Sequence, residues 1–343
     1  MSGPGDALDW VLDRTVVPGY ASIGYRLRGL GDSPADPEAN LPGSRVLVTG
    51  ANSGLGEAAS ALLAAHGAEV FMVARDRERG ERARARVAEH TGSDALRLML
   101  CDLSDLDSVE RLAAELHEQI DSLDAVIHNA GALLQTREHS PQGYELTLAV
   151  HVLGPFLLSH RLAPLLGEAR SGQGKLIFVS SGGAYTSRLD PDDLELERRQ
   201  FDGPEFYAHA KRAQIALLPE LNRRLGDGIR ADGMHPGWAA TPGVADSLPR
   251  FNRLLGPLLR SPEQGADTIV WLAARNPSPE DEGSLWMDRR PRPEHRVPWT
   301  TEEPGERARL YETCAELTGL GAEDQWEASH RGPTGAVRAH PSP

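Results

Sequence analysis

From Arg45 to about Leu285 the chain alternates short apolar runs with longer stretches of helical period, and this alternation limits the possible folds more than any other feature. Val46-Leu47-Val48, Val70-Phe71-Met72-Val73, residues 96–100, Ala125-Val126-Ile127 and residues 176–179 read as strands buried on both faces. Between them, residues 55–66, 77–90, 106–120 and 144–166 have helical spacing. Residues 205–225 read as a further helix, 229–234 as a strand and 262–274 as a helix, with a last strand near 284–287. Strand–helix alternation predicts an α/β fold, a doubly wound parallel sheet of the Rossmann type with about seven strands and helices on both faces. One domain over residues 43–290 is expected, with an N-terminal extension and linker over 1–42, a C-terminal extension over 291–320 and a disordered tail over 321–343.

The first strand runs into Thr49-Gly50-Ala51-Asn52-Ser53-Gly54-Leu55-Gly56, followed by an alanine-rich helix. Glycines there let the backbone turn tightly and approach a pyrophosphate, whose charge faces the helix N-terminus. A plain glycine turn with Ser53 capping the helix would show the same residues. The strand before and the helix after favour nucleotide binding. The second strand ends Val73-Ala74-Arg75-Asp76, with Ala74 where an acid would select NAD. Arg75 offers a fork of donors for the 2′-phosphate of NADP, so NADP is favoured over NAD. Asp76 reads as the start of the next helix.

Composition excludes several other classes. The formal net charge of -14 argues against non-specific contact with nucleic acid or an anionic membrane. No apolar run approaches the roughly 20 residues of a span, and the first ten residues lack a secretory pattern, so a cytoplasmic protein without a stable membrane anchor is expected. The segment of Leu8, Trp10, Val11 and Leu12 is amphipathic, but its mixed charge favours packing on the core over lying on a membrane. Cys101 and Cys314 offer neither a disulfide framework nor metal-ligand spacing, and no metal is expected.

Only two of the 36 Lys+Arg are lysines, Lys175 and Lys211. Lys211 follows Tyr207 by four residues, which stacks the two on one helix face. An ammonium beside a phenol suits proton transfer, and an arginine fork does not replace it at a tight site. A Tyr-x-x-x-Lys also arises by chance, so its surroundings decide. Lys175 precedes a strand and reads as a solvated turn residue.

Taken together these motifs resemble the short-chain dehydrogenase/reductase family over roughly residues 45–290. The residues that carry the resemblance occur in the family's order: the glycine turn, Asp102-Leu103 beside adenine, Asn129-Ala130-Gly131, Ser180-Ser181, Tyr207 with Lys211, and Pro236-Gly237 with Thr241 on the nicotinamide side. The run Met234–Ala239 and residues 241–243 and 288–291 are similar to the "dehydrogenase/reductase member twelve" group of that family. The resemblance implies hydride transfer between a nicotinamide cofactor and a carbonyl/alcohol pair. It makes Tyr207 the acid/base, Lys211 its tuning partner and ribose ligand, and Ser181 the ligand of the substrate oxygen. By the same resemblance Gly50, Asn52, Ser53, Gly54, Leu55, Gly56, Asp102, Leu103, Asn129, Ala130, Gly131, Pro236, Gly237 and Thr241 bind cofactor with Arg75, Tyr207 and Lys211. Ser180 reads as a strand-end residue satisfying backbone groups.

One position departs from the family. Where an asparagine usually holds a water in the proton relay to the lysine, this chain has His151. A neutral imidazole has one donor and one acceptor, enough for that water, and equally suits a core histidine bonded to backbone carbonyls. The 25 residues between Ser181 and Tyr207 exceed the family's usual spacing, and the acidic insert 189–203 reads as a surface excursion. Leu248, Phe251, Leu254, Leu255, Leu258 and Leu259 suggest a lid over an apolar carbonyl or alcohol substrate. Homo-oligomers through the two long helices are common in the family, and the N-terminal extension is placed to block them. The competing functions are a non-catalytic nucleotide-binding interaction protein of the same fold and a sugar-nucleotide epimerase. The irregular residues after Met287 count against the second.

Overall fold

A computed structural model describes residues 4–29, 41–241, 253, 255–275 and 285–321. The expected loop 31–37, the leucine-rich positions 248, 251 and 254, and residues 322–343 of the expected tail lie outside them.

Three short helices open the chain, α1 (Pro4–Arg14), α2 (Val16–Tyr20) and α3 (Ser22–Gly29). The alternation then follows as β1 (Arg45–Thr49), α4 (Gly54–Ala65), β2 (Glu69–Ala74), α5 (Arg77–Thr91), β3 (Leu96–Leu100), α6 (Leu106–Gln119) and β4 (Ala125–His128). Next come α7 (Leu146–Leu148), a π-helical turn (Ala149–Leu153), α8 (Gly154–Gly167), β5 (Gly174–Val179), α9 (Gly203–Leu225) and β6 (Ile229–Met234). The described chain closes with α10 (Pro262–Ala274), β7 (Leu285–Met287), β8 (Arg290–Arg292) and α11 (Glu306–Leu317).

The sheet order is β3-β2-β1-β4-β5-β6-β7-β8, parallel throughout except for β8. It has one strand more than the sequence suggests. Asp288 and Arg289 adopt positive φ of 54° and 59°, which turns the chain back so that Trp286 faces Pro291. The boundary expected at 290 therefore cuts a hairpin. Apolar side chains of the strands pack against α4, α5 and α10 on one face and against α6, α8, α9 and α11 on the other. The strand order reverses between β1 and β4, and an α/β sheet opens its ligand crevice at such a switch point.

Four expectations change. Lys175 is not a solvated turn residue: it lies in β5, buried, and its ammonium donates to the Ala273 carbonyl at 2.9 Å. The insert 189–203 is more than a surface excursion, since Leu189, Leu194 and Leu196 are buried and Asp193 accepts from the Glu197 amide at 2.9 Å. The residues after Met287 are regular enough to form β8 and α11, which buries Leu310, Tyr311 and Cys314. It is α11, not the N-terminal extension, that covers the long helices. The Tyr311 hydroxyl meets His160 Nε2 of α8 at 3.2 Å, and Arg224 of α9 lies 4.0 Å over the Tyr311 ring.

The N-terminal extension docks mainly through charge. Arg28 bonds Asp9 at 2.7 Å and Asp288 at 2.6 Å, and Arg260 chelates Asp288 at 2.5 and 2.9 Å. Burial alone would raise the Asp288 carboxyl, but Arg260 and Arg28 hold it below its ordinary value. The α1 helix thus meets the core through Leu12 and its inward-turned carboxylates, while Leu8, Trp10 and Val11 stay exposed. Among the described residues one helical stretch, Leu146–Gly167, is long and apolar enough to cross a membrane, and 83% of its apolar window is buried inside the fold.

Candidate functional site

A cleft of about 510 Å³ opens at the carboxyl ends of β1, β2 and β4. Gly50 and Gly54 take positive φ of 66° and 58°, which turns the chain from β1 into α4. A Cβ on Gly56 would lie 2.3 Å from the Gly50 carbonyl oxygen, so α4 starts flush against the turn. Ser53 holds the N-cap position in extended backbone, yet its side chain makes no capping bond. The first amides of α4 are therefore not satisfied by that hydroxyl, and orphan helix amides are anion ligands. Asn52, Ser53, Gly54 and Leu55 line the cleft with Gly50. Gly56, by contrast, lies behind the turn and serves its packing.

At the far end, buried Ala74 closes β2 and leaves no acid there. Asp76 caps α5 by accepting from the Arg79 amide at 2.8 Å. Arg75 and Arg79 both line the cleft from exposed positions, and among the described residues neither forms an ion pair. Arg79 was missed in the sequence, although a residue three beyond a cap Asp faces back over the same helix end. Asp102 and Leu103 form another wall of the cleft. One Asp102 oxygen accepts from the Ser104 amide at 2.9 Å and hydroxyl at 2.7 Å.

Asn129, Ala130 and Gly131 complete the floor. Asn129 is tied to the glycine turn: its Nδ2 donates to the Thr49 carbonyl at 2.8 Å, while the Asn129 and Ala130 amides both donate to Thr49 Oγ1 at 3.0 Å. Gly131 is glycine because a Cβ would lie 2.4 Å from Cε1 of His151. The His151 ring is wholly buried in the π turn, with Nε2 facing the Ala132 carbonyl at 2.9 Å and Nδ1 without a partner. Burial first, then the charge of Lys211, push this imidazole down to about 3. It also stands edge-on to Tyr207, ring centroids 5.2 Å apart.

Ser181, Tyr207 and Lys211 are brought together beside that ring. The Ser181 hydroxyl accepts from the Gly183 amide at 3.3 Å and stands near enough to the Tyr207 phenol to lower it. Ser180 is turned away, buried, and donates to the Lys211 carbonyl at 3.1 Å. Lys211 Nζ lies 5.6 Å from the Tyr207 ring centroid and donates to the Val179 carbonyl at 2.7 Å. Burial pushes this ammonium down to about 7. Burial also raises the Tyr207 phenol, and the Ser181 hydroxyl pulls it back.

Thr241 also lines the cleft, while Pro236 and Gly237, expected beside it, stand outside its lining. A Cβ on Gly237, at φ 72°, would lie 2.3 Å from Arg260 Nε. The Trp238 amide donates to the Tyr20 carbonyl at 2.9 Å, and the Tyr20 ring stands edge-on to His235 at 4.8 Å. The N-terminal extension thus builds one wall of this loop, a contact across more than two hundred residues that no local pattern announces. Away from the cleft, Glu294, His295 and Glu302 cluster within 4.8 Å. Arg212 and Arg307 already pair with Glu302, and Arg307 with Glu294, so guanidinium groups balance these carboxylates.

A doubly wound sheet with a glycine turn at its switch point and a Ser–Tyr–Lys cluster beyond the carboxyl end of β5 fits a nicotinamide-dependent oxidoreductase. The model of the short chain dehydrogenase family matches residues 44–190. The chain is 38% identical over 300 residues to bovine (Bos taurus) dehydrogenase/reductase SDR family member 12, covering 87% of this chain and 93% of that one. It is 30% identical over 298 residues to human (Homo sapiens) retinol dehydrogenase 13, covering 83% and 87%. A short-chain dehydrogenase structure from Escherichia coli CFT073, complexed with NADPH, superposes with a TM-score of 0.60 at 25% identity, over 74% of this chain and 99% of that one. This chain belongs to the short-chain dehydrogenase/reductase family and is an oxidoreductase.

Proposed function

We propose that the chain is an NADP(H)-dependent reductase or dehydrogenase of an apolar carbonyl/alcohol pair. The observation that carries this reading is the assembly of Ser181, Tyr207 and Lys211 beside a cleft whose far end presents Arg75 and Arg79, neither in an ion pair among the described residues. The residues fit the cofactor. The first amides of α4 and the Gly50 turn would hold the pyrophosphate, and Arg75 with Arg79 would hold the 2′-phosphate. Ala74 leaves no carboxylate to repel that phosphate. The NADPH complex of the related Escherichia coli protein supports the same choice.

When bound, the nicotinamide supplies or accepts the hydride at the substrate carbon. In the reducing direction Tyr207 gives its phenolic proton to the carbonyl oxygen, and in the oxidising direction it takes the proton back. Ser181 donates to the same oxygen and fixes its approach. Lys211 keeps the phenol near the charge it needs, because an ammonium favours the phenolate. Burial leaves Tyr207 raised in the protein alone, so the lowering would need the positive charge of an oxidised nicotinamide beside the charged form of Lys211.

An apolar substrate is supported by the name of the retinol dehydrogenase relative. The two buried free cysteines support the cytoplasmic location expected from the sequence. The test is a panel of aliphatic and aromatic aldehydes, ketones and alcohols assayed with each cofactor, alongside Tyr207→Phe. Turnover that survives Tyr207→Phe refutes the mechanism. Fluorescence titration should show NADPH at least about tenfold tighter than NADH, a preference that Arg75→Ser with Arg79→Ser removes. Equal affinities in the unaltered protein refute the 2′-phosphate site.

A further inference from the structure

The remaining question at the site is what holds Lys211. Its ammonium is buried with three N–H groups to place, and α9 supplies one partner a single turn on. Lys211 Nζ donates to Gln214 Oε1 at 3.1 Å, and Gln214 Nε2 donates to the His151 carbonyl at 2.7 Å. The carboxamide orientation is forced from both ends. An ammonium only donates and a carbonyl only accepts, so the reversed amide would oppose like groups at each contact.

This carbonyl lacks its α-helical donor for a reason written in the sequence. In an α-helix the His151 carbonyl accepts from the amide four residues on, which here is Pro155 and has no N–H. The chain passes this point through the π turn Ala149–Leu153, and the side chain of Gln214 reaches across from α9 to the carbonyl. Gln214 is itself buried, so each of its polar ends requires a protein partner.

We propose that Gln214 is a positioning residue, a side-chain bridge that fixes the Lys211 ammonium to the backbone of the π turn. With Val179 and Gln214 taking two of its donors, the third is left for the proposed nicotinamide ribose. Position 151 then acts through its carbonyl, and its imidazole is replaceable. This rests on the function proposed above only for its catalytic consequence. The bridge itself is a property of the protein alone.

The chain's two lysines make a direct test possible. Protein labelled with [ζ-15N]lysine shows two side-chain signals, which Lys175→Met assigns. Burial places Lys211 at about 7 and Lys175 at about 8. The titratable neighbours of Lys211 are Tyr207 on its own helix and His151 on the π turn, and neither changes charge between pH 5 and 9. Loss of the Gln214 acceptor disfavours the charged amine, so Gln214→Leu should lower the Lys211 midpoint by about one unit and leave Lys175 in place. Gln214→Glu should raise it. Gln214→Met repeats the first result if the leucine variant folds poorly, with native circular dichroism as the check.

With a substrate from the panel, the kcat–pH profile should move with the lysine in the Gln214 variants. It should stay in place in His151→Asn, which keeps the carbonyl. A Lys211 midpoint within about 0.2 units of the unaltered protein in both Gln214→Leu and Gln214→Met overturns the bridge. That titration uses neither cofactor nor substrate, so its failure is separate from survival of turnover in Tyr207→Phe.

Discussion

Lowering the pH from 7 to 5 should remove most of this protein's stability through its buried histidines. His128, His151 and His235 are held at about 3, and His160 and His209 at about 4, in each case chiefly by burial. Among the described residues Nδ1 of His128, His151 and His160 has no hydrogen-bond partner, and Nδ1 of His235 already accepts from the Gly237 amide, so a proton added at any of these nitrogens would be buried and unpaired. The folded values lie below the unfolded value of about 6.5, so the unfolded chain binds more protons as the pH falls. Stability is full above about 6.5 and is lost as the pH falls toward the folded values. For one such histidine the integrated loss between pH 7 and 5 is ~1.8 kcal/mol, and for five it is ~9 kcal/mol. The figure depends little on the folded values, because all of them lie about a unit or more below pH 5. Domains of this kind hold roughly 5–15 kcal/mol in total. Urea unfolding followed by tryptophan fluorescence at pH 7.0, 6.0, 5.5 and 5.0 and constant ionic strength should show the midpoint falling steeply across this window. His128→Gln or His160→Gln should each reduce the pH-dependent loss by about 2 kcal/mol. A midpoint unchanged between pH 7 and 5.5 would refute the claim that these rings are kept neutral. Carboxylates held low by arginine, such as Asp288, lose their share only below the ordinary carboxylate range, so the two effects separate on the pH axis.

Two substitutions probe the site walls. Gly131→Ala puts a methyl 2.4 Å from the His151 ring and should weaken NADPH binding more than about tenfold in a calorimetric titration, while thermal stability falls by only a few degrees. Unchanged affinity would show that the ring yields freely. Asp288→Asn leaves Arg28 and Arg260 buried without their shared carboxylate and should cost about 3–5 kcal/mol in urea unfolding. A cost below about 1 kcal/mol would mean that the N-terminal helices are held by something other than this cluster.

Local chemistry made the sheet and the glycine turn at its cleft legible in the sequence. Strands buried on both faces write continuous apolar runs, and a backbone that must turn at positive φ writes glycine, so β1, Gly50 and Gly54 could be read directly. What stayed hidden depends on contacts between distant segments. Tyr20 against His235 and Trp238 joins residues more than two hundred positions apart, and nothing near Tyr20 in the sequence records it. The insert 189–203 looked solvated because its acids outnumber its leucines, yet the leucines turn inward and the carboxylates cap neighbouring backbone. The π turn had a visible cause in Pro155, but the residue that answers it, Gln214, lies on another helix.

The scarcity of lysine deserves a different reading from the one that composition first suggests. If arginine replaces lysine wherever charge alone is wanted, the survivors should mark places where a guanidinium fails. Both survivors are buried, Lys175 on the Ala273 carbonyl and Lys211 on Val179 and Gln214. Burial pushes both amines down, to about 8 and about 7, where a lysine can shed its proton and an arginine cannot. The shared property is therefore a buried amine that tolerates a lowered pKa, and Lys175 has it with no cofactor cleft beside it. Rarity thus selects for burial, and only the company of Tyr207 and Ser181 turns one of the two into a candidate for catalysis. The same logic applies in reverse to Arg75 and Arg79. Arginine is the ordinary cation of this chain, so their identity carries little weight. Among the described residues neither has a carboxylate partner, and it is their place on the cleft that makes both guanidinium groups available to the 2′-phosphate proposed above.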